Sequence, residues 1–188
     1  MRKSIIIGIG AALALAGMAG AFAWRAVGDA NQAKAGIRPV WTEVQWPFPI
    51  DQWGKGKAFQ CKGADCGTEV NVYLRAKIGF CNCTTGVADD EELERLSDFD
   101  LVGGDVAAQG DGRPISVAWM KGRSRSYALT AKNRPGKSAL SVAFNDRCDA
   151  IAATAVLGHD QPGAVEPAVI EFLNSKTVLR WAEVTLGL

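Results

Sequence analysis

The chain has 188 residues, with 21 Lys and Arg against 20 Asp and Glu, one histidine, five cysteines and a formal net charge of +1. A balance this close supplies no global field for a polyanion, so no nucleic-acid partner is expected. With one histidine and neither G-x-S-x-G nor H-E-x-x-H, triad and zinc-protease chemistries lack their parts, and catalysis finds little support.

Arg2 and Lys3 precede a run from Ile5 to Trp24 that carries no charge. A basic start, an apolar stretch and then small residues form the pattern of a secretory signal. Ala21-Phe22-Ala23 fits a signal-peptidase site, with Ala19-Gly20-Ala21 as a second candidate. The run is longer than the roughly 7–15 residues of a signal core and reaches the roughly 20 residues that span a bilayer. Residues 1–23 are therefore expected to be a signal peptide that is removed or a membrane anchor that is retained. In both cases the basic end stays inside and the rest is exported. The expected location is periplasmic, either soluble or held at the inner membrane with contact through residues 5–24. Without Arg2 and Lys3 the formal charge becomes −1.

Residues 24–40 are small and polar and read as a linker to an exported β-rich domain over 41–188. Trp41 to Trp53 contains Trp46, Pro47, Phe48 and Pro49, a composition that favours extended chain or a sheet edge over helix. Val70, Val72, Leu74, Ala76, Ile78 and Phe80 alternate with Asn71, Tyr73, Arg75, Lys77 and Gly79, which predicts a half-buried strand. A sheet with one wet face is normally antiparallel. Residues 89–96 (DDEELERL) predict a short acidic helix capped by Thr85 or Asp89. Residues 101–114 are rich in Gly and Asp and predict a loop, without the ligand spacing of an EF-hand.

Strands are expected at Ile115–Met120, Ser126–Ala131 and Ala139–Phe144, with KGRSR and KNRPGK as hairpin turns between them. Cys148–Leu157 alternates again, Gln161-Pro162-Gly163 breaks the chain, Ala164–Asn174 carries a helical apolar stripe, and Thr177–Leu186 returns to strand character. The fold class is α+β or mainly β: one antiparallel-sheet domain, sandwich- or barrel-like, with two short helices.

All five cysteines, Cys61, Cys66, Cys81, Cys83 and Cys148, lie in the exported part. In an oxidising compartment they are expected to pair, and an odd number leaves at least one free, intermolecular or liganded. If the long strand continues past Phe80, Cys81 and Cys83 share its wet face, close to the turn between Cys61 and Cys66. Neighbours two apart on a strand are about 6–7 Å apart at Cα, so each bonds more easily across strands to Cys61 or Cys66. Cys148 is then the odd residue or pairs with one of them. The connectivity cannot be read from spacing.

The sharper alternative is a copper or zinc site at Cys81 and Cys83, with Cys61 and Cys66 nearby, since adjacent thiolates suit soft metals. The fragment AKIGFCNC (76–83) resembles the copper-binding strand of the cytochrome oxidase copper chaperones, which are also single-anchor exported domains with C-x-C on a strand. The resemblance covers fewer than ten residues and lacks the aromatic residue between the cysteines. Thiol–disulfide exchange at the same pair is a further alternative. His159, the one histidine, reads as a surface residue.

Two other features bear on partners. Residues 89–100 carry seven acids, and residues 121–137 carry six bases, among them Arg123, Arg125 and Arg134. Such polarity can steer a partner, set the basic turns against anionic lipid, or simply keep a helix and two turns soluble. Trp41, Trp46 and Trp53 offer a platform for sugar or peptide, or an arm that packs on the sheet. The leading expectation is a non-catalytic, disulfide-stapled envelope domain without a cofactor, binding another envelope protein or membrane complex as an accessory subunit. It is similar in general plan to the invasion-associated locus B family.

Overall fold

In the computed structural model the described residues are 39–130, 136–158 and 160–188. The expected signal or anchor, most of the linker, Arg134, His159 and part of KNRPGK lie outside them. No helix among the described residues is long and apolar enough to cross a membrane.

The elements run β1 (Trp41–Val44), β2 (Lys57–Cys61), α1 (Gly63–Cys66), β3 (Val70–Lys77), α2 (Asp90–Leu96), α3 (Phe99–Val102) and β4 (Asp105–Val117). They continue with β5 (Met120–Thr130), β6 (Lys137–Asp146), β7 (Asp149–Leu157), α4 (Pro162–Leu173) and α5 (Lys176–Leu186). The seven strands form one sheet in the order β1-β2-β3-β7-β6-β5-β4, every neighbour antiparallel. The antiparallel class is as the sequence predicts. Helices, rather than a second sheet, cover the faces.

Side-chain alternation builds the larger core. Val70, Val72 and Leu74 of β3 share a face with Ile151, Ala153 and Ala155 of β7 and with Leu140, Val142 and Phe144 of β6. Helices α4 and α5 close that face with Val165, Val169, Phe172, Leu173, Val178, Ala182 and Leu186. The expected strand at 177–186 is therefore a helix. Its β-branched residues suggest a strand, but Val178, Ala182 and Leu186 are the buried ones, four apart, and apolar burial decides between the two periods. Ser175 caps its start, accepting from the Val178 N–H, and Gly187 ends it in a left-handed conformation (φ 71°).

The opposite face was expected to be wet and is covered instead. Along β6 and β7 it presents Ala139, Ser141, Ala143, Ala150 and Ala152. These small side chains leave room for α2, whose Leu93 and Leu96 are fully buried against Ala143 and Ala150. Asp89 caps α2, accepting from the Glu92 N–H at 2.8 Å.

Two boundaries differ from the sequence reading around 101–125. Asp105 onward is strand, not loop, pairing with β5 in two runs separated by a register shift between Gln109 and Arg113. The Gly-rich sequence marks that bulge rather than a break in pairing. The hairpin turn falls at Ala118-Trp119, with Ala118 at φ 51°, so KGRSR lies inside β5. Its alternation of small and basic residues is that of a strand with a packed face and a charged one.

Gly122 sits where β5 meets β6, and a Cβ there would run into the Ala143 carbonyl and sit 2.7 Å from Phe144 Cβ. Gly122→Ala is expected to cost about 1–3 kcal/mol through overpacking, read as a lower urea midpoint at unchanged slope.

Candidate functional site

The covered face holds the densest chemistry. Arg75 and Lys77, two apart on β3, point to the same side and are 3% and 4% exposed. Ala152 and Ala150 stand opposite them on β7, so the small residues of that strand provide the space. Asp98, between α2 and α3, meets both cations. It accepts from Arg75 Nε at 3.1 Å, from Arg75 Nη2 at 2.6 Å and from Lys77 Nζ at 2.7 Å. The remaining guanidinium nitrogen, Nη1, donates to Asp51 at 2.6 Å. Burial alone would lower the Arg75 pKa, but Asp98 and Asp51 outweigh it and hold the guanidinium charged. Asp51 shows the mirror effect. Burial is the largest single influence and pushes its pKa up, but Arg75, the Trp53 N–H and Lys77 together outweigh it, and its carboxyl sits below the usual range.

Aromatic rings roof this cluster. Lys77 Nζ lies 4.5 Å from the Trp53 ring centroid, Trp53 meets Phe80 edge-to-face at 4.7 Å, and Arg95 covers Phe80 at 4.5 Å. Below them is a cavity of about 490 Å³ lined by Asp51, Trp53, Arg75, Lys77, Arg95 and Asp98. Acids and bases alternate in its wall, so it offers donors and acceptors without a dominant sign.

The tryptophan cluster is divided between the two faces. Trp46 is buried beside Phe48 and Tyr73, and Trp53 sits over Lys77. Trp41 instead stacks on Phe172 of α4 at 4.6 Å, on the other side of the sheet. Near Trp41, an apolar groove of about 350 Å³ opens between α5 and β2–β3, floored by Phe59, Leu74 and Val178 and walled by Trp181 and Val184. Glu43, Lys57 and Arg180 form its polar rim. The groove depends on 177–186 being helical, and the strand that its β-branched residues suggest carries no sign of it.

The charge blocks meet each other. Asp90 of α2 pairs with Arg123 and, at 3.5 Å, with Arg125, while Glu94 takes Arg125 at 2.7 Å. The Gly112 N–H donates to Asp90 at 3.0 Å, and Arg125 Nε to the Gly110 carbonyl at 2.8 Å. Arg123 and Arg125 thus fasten α2 to β5 and to the β4 bulge. The Gly112 N–H and Arg123 hold the Asp90 carboxyl below the usual range.

The cysteines do not form a group of four. β3 ends at Lys77 and the chain turns at Gly79 (φ 67°), so Cys81 and Cys83 leave the strand on which C-x-C was expected. Cys61 bonds Cys66 across the one-turn α1, and Cys83 bonds Cys148 at the start of β7. Cys81 is free, buried, and donates from Sγ to the Arg147 carbonyl at 3.2 Å. Burial first, then Glu92 and Asp149, push its pKa up. Among the described residues no three His, Cys, Asp or Glu side chains are set to hold a metal ion.

Asp98→Asn should remove the charge that both buried cations share and cost about 3–5 kcal/mol in denaturant unfolding. Asp51→Asn, at the exposed edge, should cost far less. Asp90 has a lowered folded pKa, so its stabilisation is complete above the unfolded value of about 3.9 and disappears as pH falls through the folded one. Asp90→Asn should therefore lower the unfolding midpoint at pH 7 and converge with wild type in strong acid.

No protein-family model matches this chain, and no curated protein matches it.

Proposed function

We propose that this chain is an exported cell-envelope protein of the periplasm, a non-catalytic, disulfide-stapled domain that binds another envelope protein or membrane complex as an accessory subunit. The observation that carries this reading is the pairing of four of its five cysteines within the domain, at Cα separations of 6.0 Å and 4.2 Å. Disulfides persist in oxidising compartments, and the uncharged run behind Arg2 and Lys3 is the feature that delivers a chain there. A retained anchor favours the accessory role, because it keeps the domain beside a membrane complex.

The binding half of the proposal is supported by the groove at Trp181 and Val184. Val184 is 77% exposed there, beside an apolar floor and a rim of both charges. Arg123 and Arg125 are occupied by α2, so they contribute to holding the domain together rather than to reaching a partner.

Intact mass on protein recovered from the envelope tests export and pairing together. The expected chain begins at Trp24 or Phe22, or at Met1 if anchored, and is lighter than the reduced chain by the four hydrogens of two disulfides. A cytoplasmic chain with all thiols reduced would overturn the proposal. Two or more free thiols with near-stoichiometric copper or zinc would establish the metal-handling alternative at Cys81 and Cys83. Migration only as a free monomer on native gels of solubilised envelopes would remove the accessory role.

A further inference from the structure

Cys81 lies beside the Cys83–Cys148 disulfide, in a group of three neighbouring cysteines. Its N–H donates to the carbonyl of Cys148 at 3.2 Å, and Cys148 is bonded to Cys83, two residues further along the chain from Cys81. Antiparallel strand residues that exchange both N–H···O=C bonds have Cα atoms roughly 5.5 Å apart, and the single such bond here keeps the two backbones at a similar separation. That lies inside the roughly 4.4–6.8 Å that a disulfide usually spans. Cys148 therefore stands within bonding reach of both Cys81 and Cys83. The Cys81 thiol already lies against the backbone leading into Cys148, through its contact with the Arg147 carbonyl. The two candidate partners differ in surroundings: Cys81 is 6% exposed, whereas Cys83 is exposed.

We propose that the Cys81 thiol exchanges with the Cys83–Cys148 disulfide, so that the folded chain carries its free thiol alternately at buried Cys81 and exposed Cys83. Cys81 gives its proton to solvent, and its thiolate attacks Sγ of Cys148. The Cys81–Cys148 bond forms as the Cys83–Cys148 bond breaks, the bonding pair leaves on the Cys83 sulfur, and that sulfur takes a proton from solvent. One thiol and one disulfide are present before and after, so no oxidant or reductant is consumed. The leaving thiolate forms in water, which favours its departure. Burial first, then the nearby Glu92 and Asp149, disfavour the attacking thiolate, which makes the exchange slow at neutral pH and faster as pH rises. Cys83 is then the reactive position of the folded protein, although Cys81 is the unpaired one.

The test uses the mature, oxidised protein without denaturant. It is treated with iodoacetamide at pH 7 and 8, quenched in acid, digested with pepsin at low pH where exchange stops, and mapped by tandem mass spectrometry without reduction. The expected product carries the label on Cys83 and a Cys81–Cys148 bond, forming about tenfold faster per pH unit. Label on Cys81 with Cys83–Cys148 intact, or no label in the folded protein, would overturn the exchange. Cys81→Ser should abolish labelling of the folded chain. Cys83→Ser, held in oxidised glutathione, should close a Cys81–Cys148 bond and leave no free thiol. Two free thiols in that variant would also refute it.

Discussion

Arg75 and Lys77 would each cost several kcal/mol to bury alone, and the carboxylate of Asp98 makes their joint burial tolerable. The arrangement depends on that contact. Asp98 lies just after α2, so by holding the β3 cations it draws the helical segment onto the sheet. Leu93 and Leu96 then settle on the small residues of β6 and β7, and Ser97 Oγ meets Ser141 Oγ at 2.6 Å. Trp53, backed by Phe80, lies over the ammonium and shields it on one side, which strengthens the ion pairs beneath. The cavity left between them follows from the same geometry. Long cationic side chains of β3 meet a short carboxylate, and the space between them and the Trp53 and Phe80 rings stays unfilled.

The same segment is secured twice more. Asp90 and Glu94 face Arg123 and Arg125, which turns two opposed blocks of charge into a seam between α2 and β5. These partly exposed pairs contribute modestly to stability, but they set the register of α2 on the sheet and absorb charge that would otherwise be available to a partner. The Cys83–Cys148 bond ties the loop before α2 to the β6–β7 turn. Closing a loop of 65 residues removes about 4 kcal/mol of unfolded-state entropy on a chain-entropy estimate, against about 2 kcal/mol for the 5-residue Cys61–Cys66 loop. The first bond anchors tertiary structure. The second shapes one corner.

This division gives the two sides of the sheet different characters. The α4–α5 side is an apolar core, with a groove where α5 departs from β2. The α2–α3 side is polar at its centre and held by charge and by a disulfide. The three neighbouring cysteines lie on the second side, next to the loop that the disulfide holds, so any change in pairing there acts on the cover of the ion cluster rather than on the main core.

Period-two patterning at Val70–Lys77 and Asp149–Leu157, and the capped acidic helix at 90–96, were legible because each is a local pattern of burial or of hydrogen bonding. So were the antiparallel class and the expectation that most cysteines pair. Tertiary structure decided the rest. Whether the polar face of β3 is wet depended on Asp98, 21 residues beyond Lys77, and nothing near Arg75 or Lys77 signals that contact. Whether 177–186 is strand or helix depended on which side chains the sheet accepts, since its β-branched residues suit either form until burial selects Val178, Ala182 and Leu186. The cysteine connectivity turned on Gly79, where a left-handed turn takes Cys81 and Cys83 off the strand and delivers them to Cys148. Local sequence determines what each segment can form. Which faces are covered, and which sulfurs meet, is a property of contacts distant in the chain.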